Sequence, residues 1–220
     1  ALTFSAFFAP FFWPVLGGSW AGNEYGWGTI RTILTRRPYR IQHVVAAFAV
    51  LAVGVGVAIL AIMVVASAAG ALVAALTGNA AFTSGILSGS FLGTVGMGFL
   101  TAWLVSSFYL LVAYAAAVIF RSTAVGIGLG IGSVLAQIVL NQIFVSLGGV
   151  WKTIATHMPF TYTSDVITRV VHSGLVSGTG LSRVSPTAPS ASQSLIAIAI
   201  YSAVVVALML LAVSKRDVTA

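Results

Sequence analysis

The chain has 220 residues, of which 59% are hydrophobic and only 6% are charged. About a quarter of the residues in a soluble domain are charged, so this composition excludes an ordinary water-soluble fold and predicts a membrane protein. The formal net charge of +7 could indicate nucleic-acid binding, but the basic residues lie at the ends of apolar segments, where they anchor helices in a bilayer. Cysteine is absent, which excludes disulfides, thiolate metal sites and a cysteine nucleophile.

Five stretches are long and apolar enough to cross a membrane, because a hydrocarbon core of about 30 Å requires roughly 20 residues of helix. They cover residues 1–21, 43–76, 86–120, 122–147 and 195–213. The first contains Pro10 and Pro14, which helices in a membrane bundle tolerate because neighbouring helices satisfy the freed backbone groups. The sequence therefore predicts an all-α, polytopic transmembrane helix bundle that forms a single domain over residues 1–220.

Basic residues orient this bundle, because cytoplasmic loops are enriched in Lys and Arg. The connection 23–42 carries four arginines, which places it in the cytoplasm. Alternation then places Arg121 and the C-terminal pair 215–216 inside, and the connections 77–85 and 148–194 outside. The three basic connections agree on one orientation.

The long outer connection 148–194 divides into two parts. Residues 150–176 mix aromatic and β-branched residues with polar ones, which predicts short amphipathic helices in the membrane interface. Residues 178–193 are rich in Ser, Gly and Pro and predict an extended loop.

Residues 23–38 predict an amphipathic helix along the inner membrane face, with Asn23 as its N-cap and Pro38 as its stop. At about 100° per residue, its apolar and polar residues separate onto two sides. The apolar side holds Trp27, Ile30, Ile33 and Leu34, and the polar side holds Glu24, Gly28, Arg31 and Thr35. Such a helix could bind anionic lipid headgroups only, or it could dock a cytoplasmic partner.

A specific pattern runs through this segment and into the hydrophobic helix that follows it. A Glu precedes a Gly-Thr pair and an Arg two residues later, then come a Leu-Thr-Arg run, a Pro and a further Arg. The pattern resembles the segment after the second transmembrane helix of ABC-2 type transporter permeases. The residues that the resemblance assigns to contact with an ATPase subunit are Glu24, Gly28, Thr29, Arg31, Leu34, Arg36, Arg37, Pro38 and Arg40. Gln42 and His43 depart from the family, which often has a basic residue at this place.

The resemblance implies the permease subunit of an ATP-driven exporter, with the segment as its coupling helix. Such permeases have six helices with both termini inside, so the first helix of this protein is expected upstream of residue 1. The closing 215–217 is also similar to the family's ending. The implied partners are two ATP-binding subunits, which would hold ATP and Mg, a second permease copy or paralogue, and membrane lipids, without nucleic acid. The implied cargo is a hydrophobic or amphipathic substrate, and the implied location is the plasma membrane, of the prokaryotic inner-membrane type.

Glycines recur at intervals of four residues on two of the predicted helices. The spaced positions are Gly85, Gly89 and Gly93 on the third span and the pairs Gly126–Gly130 and Gly128–Gly132 on the fourth. Small residues at this spacing let helix backbones approach closely. The faces could serve packing within one bundle or the contact between two permease copies.

Gln137 and Asn141 lie one helical turn apart near the middle of the fourth span. Amides at that depth require hydrogen-bond partners, and they could join helices or contact substrate. No ionised residue lies deep within a predicted span, which argues against a proton- or sodium-coupled carrier.

His157, Asp165 and His172 on the outer connection lack the spacing of a metal motif, and Asp165 pairs more simply with Arg169 one turn later. No nucleophile elbow, paired carboxylates or phosphate-binding loop is present, so the chain is expected not to be an enzyme and to need no cofactor of its own. The alternatives to a permease are an accessory membrane subunit of a larger complex and a secondary transporter.

Overall fold

The computed structural model describes residues 2–27, 40–77, 89–172 and 190–215. These residues form seven α-helices and no strand. The helices are α1 (Leu2–Gly26), α2 (Arg40–Leu76), α3 (Gly89–Phe120), α4 (Thr123–Leu147), α5 (Gly149–Thr156), α6 (Pro159–His172) and α7 (Ala191–Lys215).

Four of the described helices contain stretches long and apolar enough to cross a membrane. These stretches are Ile41–Leu76 in α2, Val95–Phe120 in α3, Thr123–Leu147 in α4 and Ser192–Lys215 in α7. The predicted class, an all-α membrane protein with several spans, is therefore confirmed. α1 is a continuous helix of 25 residues through Pro10 and Pro14, and it packs against α3 and α4.

The corner between α3 and α4 is tight. Arg121 has a φ of 54°, in the left-handed region, and Ser122 caps α4 by accepting the backbone N–H of Val125 at 3.4 Å. α4 ends at Gly148 and Gly149, whose φ values of 69° and 55° favour glycine. The Ser122 cap and the two glycines therefore set where α4 begins and ends.

The contacts between helices give their directions. Gly22, Gly18 and Pro14 of α1 lie beside Thr123, Gly126 and Gly130 of α4, in that order, so α1 and α4 are antiparallel. α2 begins beside the end of α3, because the Tyr114 hydroxyl donates to the Val44 carbonyl, and it passes the Trp103 indole at Ala52. The ends of α1 and α3 therefore meet the starts of α2 and α4. We call this the Arg121 end of the bundle.

α3 is the central helix. About 67% of its most apolar stretch is buried, against 11% to 22% in the other three spans. One buried cluster, which includes Val55, Tyr114 and Met209, fills the bundle toward the Arg121 end. A second cluster, which includes Tyr109 and Val166, fills the side where α6 and the start of α7 pack.

α5 and α6 turn back toward the middle of the bundle. The backbone N–H of Phe160, at the start of α6, donates to Gln137, which lies about 21 Å along α4 from its start at a rise of about 1.5 Å per residue. Thr163 contacts Tyr109, about 16 Å from the end of α3. The sequence predicts short amphipathic helices in the membrane interface here. The structure forms two helices and buries the Tyr162 and Val166 side chains of α6, and polar groups of α6 find partners on α3 and α4.

Candidate functional site

The predicted docking segment, residues 24–40, joins α1 to α2 at the Arg121 end of the bundle. Most of the predicted docking residues lie outside the described residues, namely Gly28, Thr29, Arg31, Leu34, Arg36, Arg37 and Pro38. Arg40 is the first residue of α2. The structure therefore describes the two ends of the segment, where α1 finishes and α2 starts.

The first residues assigned to the docking segment belong to α1. α1 continues to Gly26, and the Trp27 backbone N–H donates to the Asn23 carbonyl at 2.9 Å. Asn23 is thus not the N-cap of a separate helix, and its amide oxygen instead accepts the Thr123 hydroxyl of α4 at 3.3 Å. Gly22 permits this approach, because a Cβ at that position would collide with Thr123. The helix runs on because its last turn is held against α4.

Glu24 and His43 form a hydrogen bond between the end of α1 and the start of α2. Glu24 Oε2 lies 3.2 Å from His43 Nε2, and the two side chains are only 21% and 25% exposed. The contact brings together two residues that are 19 positions apart in the sequence. No pattern in the sequence predicts the contact between Glu24 and His43.

Two tyrosines, Tyr25 and Tyr114, lie near the contact between Glu24 and His43. The Tyr114 hydroxyl is buried and donates to the carbonyl oxygen of Val44, next to His43, at 3.0 Å. Burial raises the pKa of the Tyr25 phenol, the Arg121 guanidinium partly offsets that rise, and the Glu24 carboxylate adds to it. We call Asn23, Glu24, Tyr25, His43, Tyr114 and Thr123 the neck cluster. It joins four helices with polar contacts at the Arg121 end of the bundle.

Gln137 and Asn141 hold α5 and α6 against α4. Gln137 accepts the Phe160 backbone N–H at 3.0 Å and donates to the Ser133 carbonyl at 3.1 Å. Asn141 donates to the Ala155 carbonyl at 3.1 Å and to the Thr161 hydroxyl at 2.9 Å. Both amides therefore make contacts between helical segments.

Two tyrosines that belong to no sequence motif add to this network. The Tyr109 and Thr163 hydroxyls lie 2.8 Å apart, and the Tyr201 hydroxyl donates to the His157 carbonyl at 2.6 Å. A tyrosine inside an apolar helix is a usable signal, because a buried phenol usually finds a partner. The partners could not be named without the turn of α5 and α6 into the bundle.

The structure describes the side chains of two of the residues considered for a metal site, His157 and Asp165, whereas the side chain of His172 lies outside the described part. Among the described residues, no group of three His, Cys, Asp or Glu side chains could hold a metal ion. The His157 ring contacts the Thr153 carbonyl at 2.8 Å in its own helix. Asp165 acts electrostatically on Tyr162, and the side chain of its predicted partner Arg169 lies outside the described part.

The spaced glycines of α4 divide into two faces. A Cβ on Gly126 or Gly130 would lie 2.6 Å from Ala117 or Ala113 of α3, so this pair serves packing within the bundle. A Cβ on Gly128 or Gly132 would meet no described atom within 4 Å. On the third span, Gly85 lies outside the described residues, Gly89 begins α3, and a Cβ on Gly93 would likewise have none of the described atoms within 4 Å.

Comparison with known proteins gives one result. A family described as "Protein of unknown function (DUF2705)" matches residues 1–219. Searches of curated proteins and of solved structures gave no match. The match covers nearly the whole chain, including the neck cluster, the docking segment and the helices that fold back into the bundle. The chain therefore belongs to the DUF2705 family.

Proposed function

We propose that this chain is the permease subunit of an ABC-2 type ATP-driven exporter. The observation that carries the proposal is the motif from Glu24 to Arg40, which lies between two membrane helices and resembles the coupling segment of such permeases. The position of its two ends supports the proposal, because Glu24 and His43 meet at the Arg121 end of the bundle. A segment held there can receive a partner at one membrane face.

The proposed subunit has five spans in this chain, with α1 as the first. Its cytoplasmic face is the Arg121 end, where the described basic residues Arg121 and Lys215 also lie. Residues 28–38, which lie outside the described residues, are the proposed coupling segment. The subunit resides in a plasma membrane of the prokaryotic inner-membrane type.

Two ATP-binding subunits and a second permease copy or paralogue complete the proposed transporter. Binding of ATP and Mg would close the ATPases and displace the coupling helix, and the bundle would respond by changing which side its path opens to. This chain itself performs no hydrolysis and carries a hydrophobic or amphipathic substrate outward. Gln137 and Asn141 hold α5 and α6 against α4 throughout this cycle and do not contact substrate.

Purification from native membranes in mild detergent tests the proposal. We expect an ATP-binding subunit to co-purify with the native chain and to be lost from a variant with Arg31, Arg36 and Arg37 replaced by Ala. Lys152→Ala, which removes an exposed basic residue from α5, is the matched control and should retain the subunit. If no ATP-binding subunit co-purifies with the native chain, the exporter proposal fails.

A secondary transporter is the second candidate, and Asp165 is the observation that favours it. Such carriers usually need a carboxylate within the membrane, and Asp165 lies on α6, the helix that turns into the bundle. Asp165→Asn separates the two candidates. The exporter retains ATP-dependent substrate efflux in this variant, whereas a proton-coupled carrier loses its transport and its response to a pH gradient.

A further inference from the structure

We infer that Glu24 acts inside this chain, as one half of a clasp with His43, rather than as a contact to the partner subunit. The clasp joins the two helix ends that flank the docking segment, so that the end of α1 and the start of α2 move as one unit. The mechanical consequence rests on the proposed function. The contact itself does not.

The geometry of Glu24 leaves little of its carboxylate for a partner. Its Oε2 lies 3.2 Å from His43 Nε2, and its side chain is 21% exposed. A partner that took Oε2 would have to break the contact and leave the His43 imidazole without its acceptor in a largely buried position. Leaving a buried polar group unsatisfied costs more free energy than one ordinary hydrogen bond contributes.

The residues next to the clasp are tied to the rest of the bundle. Asn23, which precedes Glu24, accepts the Thr123 hydroxyl of α4. Val44, which follows His43, accepts the Tyr114 hydroxyl of α3. Both halves of the clasp are therefore held against the two helices that meet at Arg121.

These ties determine what happens when the docking segment is displaced. Glu24 and His43 join the ends of α1 and α2 on either side of the segment 28–39, so a force on that segment cannot separate α1 from α2 without breaking the clasp. The force is passed instead to α3 and α4 through Tyr114 and Thr123. Networks of packed and hydrogen-bonded groups between rigid elements are the usual carriers of such coupling.

Exchange of the two residues tests the clasp. The variants are Glu24→Ala, His43→Ala, the double Ala variant and the exchange Glu24→His with His43→Glu, each in the full chain purified in mild detergent without partners. The control is Gln42→Ala, since Gln42 is exposed beside His43 on α2. The readout is the midpoint of thermal unfolding.

Each single Ala variant should lower the midpoint by about 3–12 °C, because it removes a hydrogen bond to a charged group and leaves the partner side chain unsatisfied in a largely buried position. The midpoint of the double Ala variant should be no lower than that of the less stable single variant. The exchange variant should recover at least half of the loss in midpoint seen in the double Ala variant. Additive losses, or an exchange as unstable as the double Ala variant, would overturn the clasp.

Retention of the ATP-binding subunit then tests whether Glu24 is also a docking residue. If the exchange variant recovers its thermal midpoint and retains the subunit, the role of Glu24 is internal. If it recovers the midpoint but loses the subunit, Glu24 contacts the partner and the inference is overturned. If the native chain itself retains no ATP-binding subunit, the proposed function fails, while the midpoints still decide the clasp.

Discussion

Gly18 of α1 and Gly126 of α4 face each other backbone to backbone. A Cβ on Gly18 would lie 2.9 Å from the carbonyl carbon of Gly126, and a Cβ on Gly126 would lie 3.0 Å from the Cα of Gly18. Neither residue can therefore gain a side chain without moving a helix. Because α3 also reaches Gly126 through Ala117, this crossing joins three helices just inside the neck cluster.

Gly126→Ala should destabilise the bundle by about 1–3 kcal/mol, because overpacking of a tight contact forces backbone shifts. Gly128→Ala is the matched control, since a Cβ there would have no atom of the described residues within 4 Å and any general effect of Ala on the helix is shared by both variants. Thermal unfolding in detergent checks the prediction. Equal midpoints for the two variants would contradict the close packing of α1 and α3 on α4.

Asn141→Ala should loosen α5 and α6 without unfolding the bundle. The substitution removes the bonds to the Ala155 carbonyl and the Thr161 hydroxyl, which together contribute about 1–3 kcal/mol. Hydrogen–deuterium exchange should become about tenfold faster or more in the amides of α5 and the first turns of α6. Ser146→Ala, whose hydroxyl bonds only within α4, is the control and should leave exchange in α5 and α6 unchanged.

Tyr25 should ionise above the usual tyrosine pKa of 10.0, because its burial disfavours the phenolate. Since its pKa in the folded chain is raised, its contribution to stability is complete below about pH 10 and is lost as the pH rises through the raised pKa. The difference in phenolate absorbance between the native chain and Tyr25→Phe measures this ionisation. Arg121→Gln should raise the pKa of Tyr25 further, and Glu24→Gln should lower it.

A midpoint at or below pH 10.0 for Tyr25 would contradict the burial of the neck cluster. The shifts in the two neighbouring variants provide the internal check, because Arg121 and Glu24 act on the phenol with opposite signs. A shift of the same sign in both variants would mean that the substitutions had changed the fold around Tyr25.

Single cysteines at the two ends of the bundle should be accessible from opposite sides of the membrane. The native chain has no cysteine, so each introduced thiol is the only one present. On intact cells, a membrane-impermeant maleimide should label Thr77→Cys, at the end of α2, and should not label Ser214→Cys, near the end of α7. Labelling of both positions from the outside would contradict the antiparallel arrangement and the proposed orientation.

The sequence predicts the helices well because the membrane imposes long apolar stretches. The ends of α3 and α4 at Phe120 and Leu147 agree with the predicted ones. α7 begins at Ala191 rather than Leu195, because hydrogen bonds among Ser190, Ser192 and Gln193 organise its first turn. Polar residues at helix ends carry no hydropathy signal, so such boundaries escape prediction.

The neck cluster shows why the candidate site is harder to predict than the spans. Glu24, His43 and Tyr114 are far apart in sequence, and only the crossing of α1, α2 and α3 brings them together. The amphipathic pattern beginning at Asn23 indicated a new helix, yet α1 continues to Gly26 because Gly22 and Asn23 pack on Thr123. Periodicity alone does not distinguish a helix that starts from one that continues.

Site-specific crosslinking tests whether the segment 28–39 docks an ATP-binding subunit. Single cysteines at Arg31 and Leu34 would carry a photo-crosslinker in native membranes, with Thr153→Cys on α5 as the control at the opposite end. We predict that both segment positions form an adduct with a protein that a photoreactive ATP analogue also labels, and that Thr153 does not. Adducts with lipid alone at positions 31 and 34 would contradict this docking and indicate a helix that only lies on the membrane.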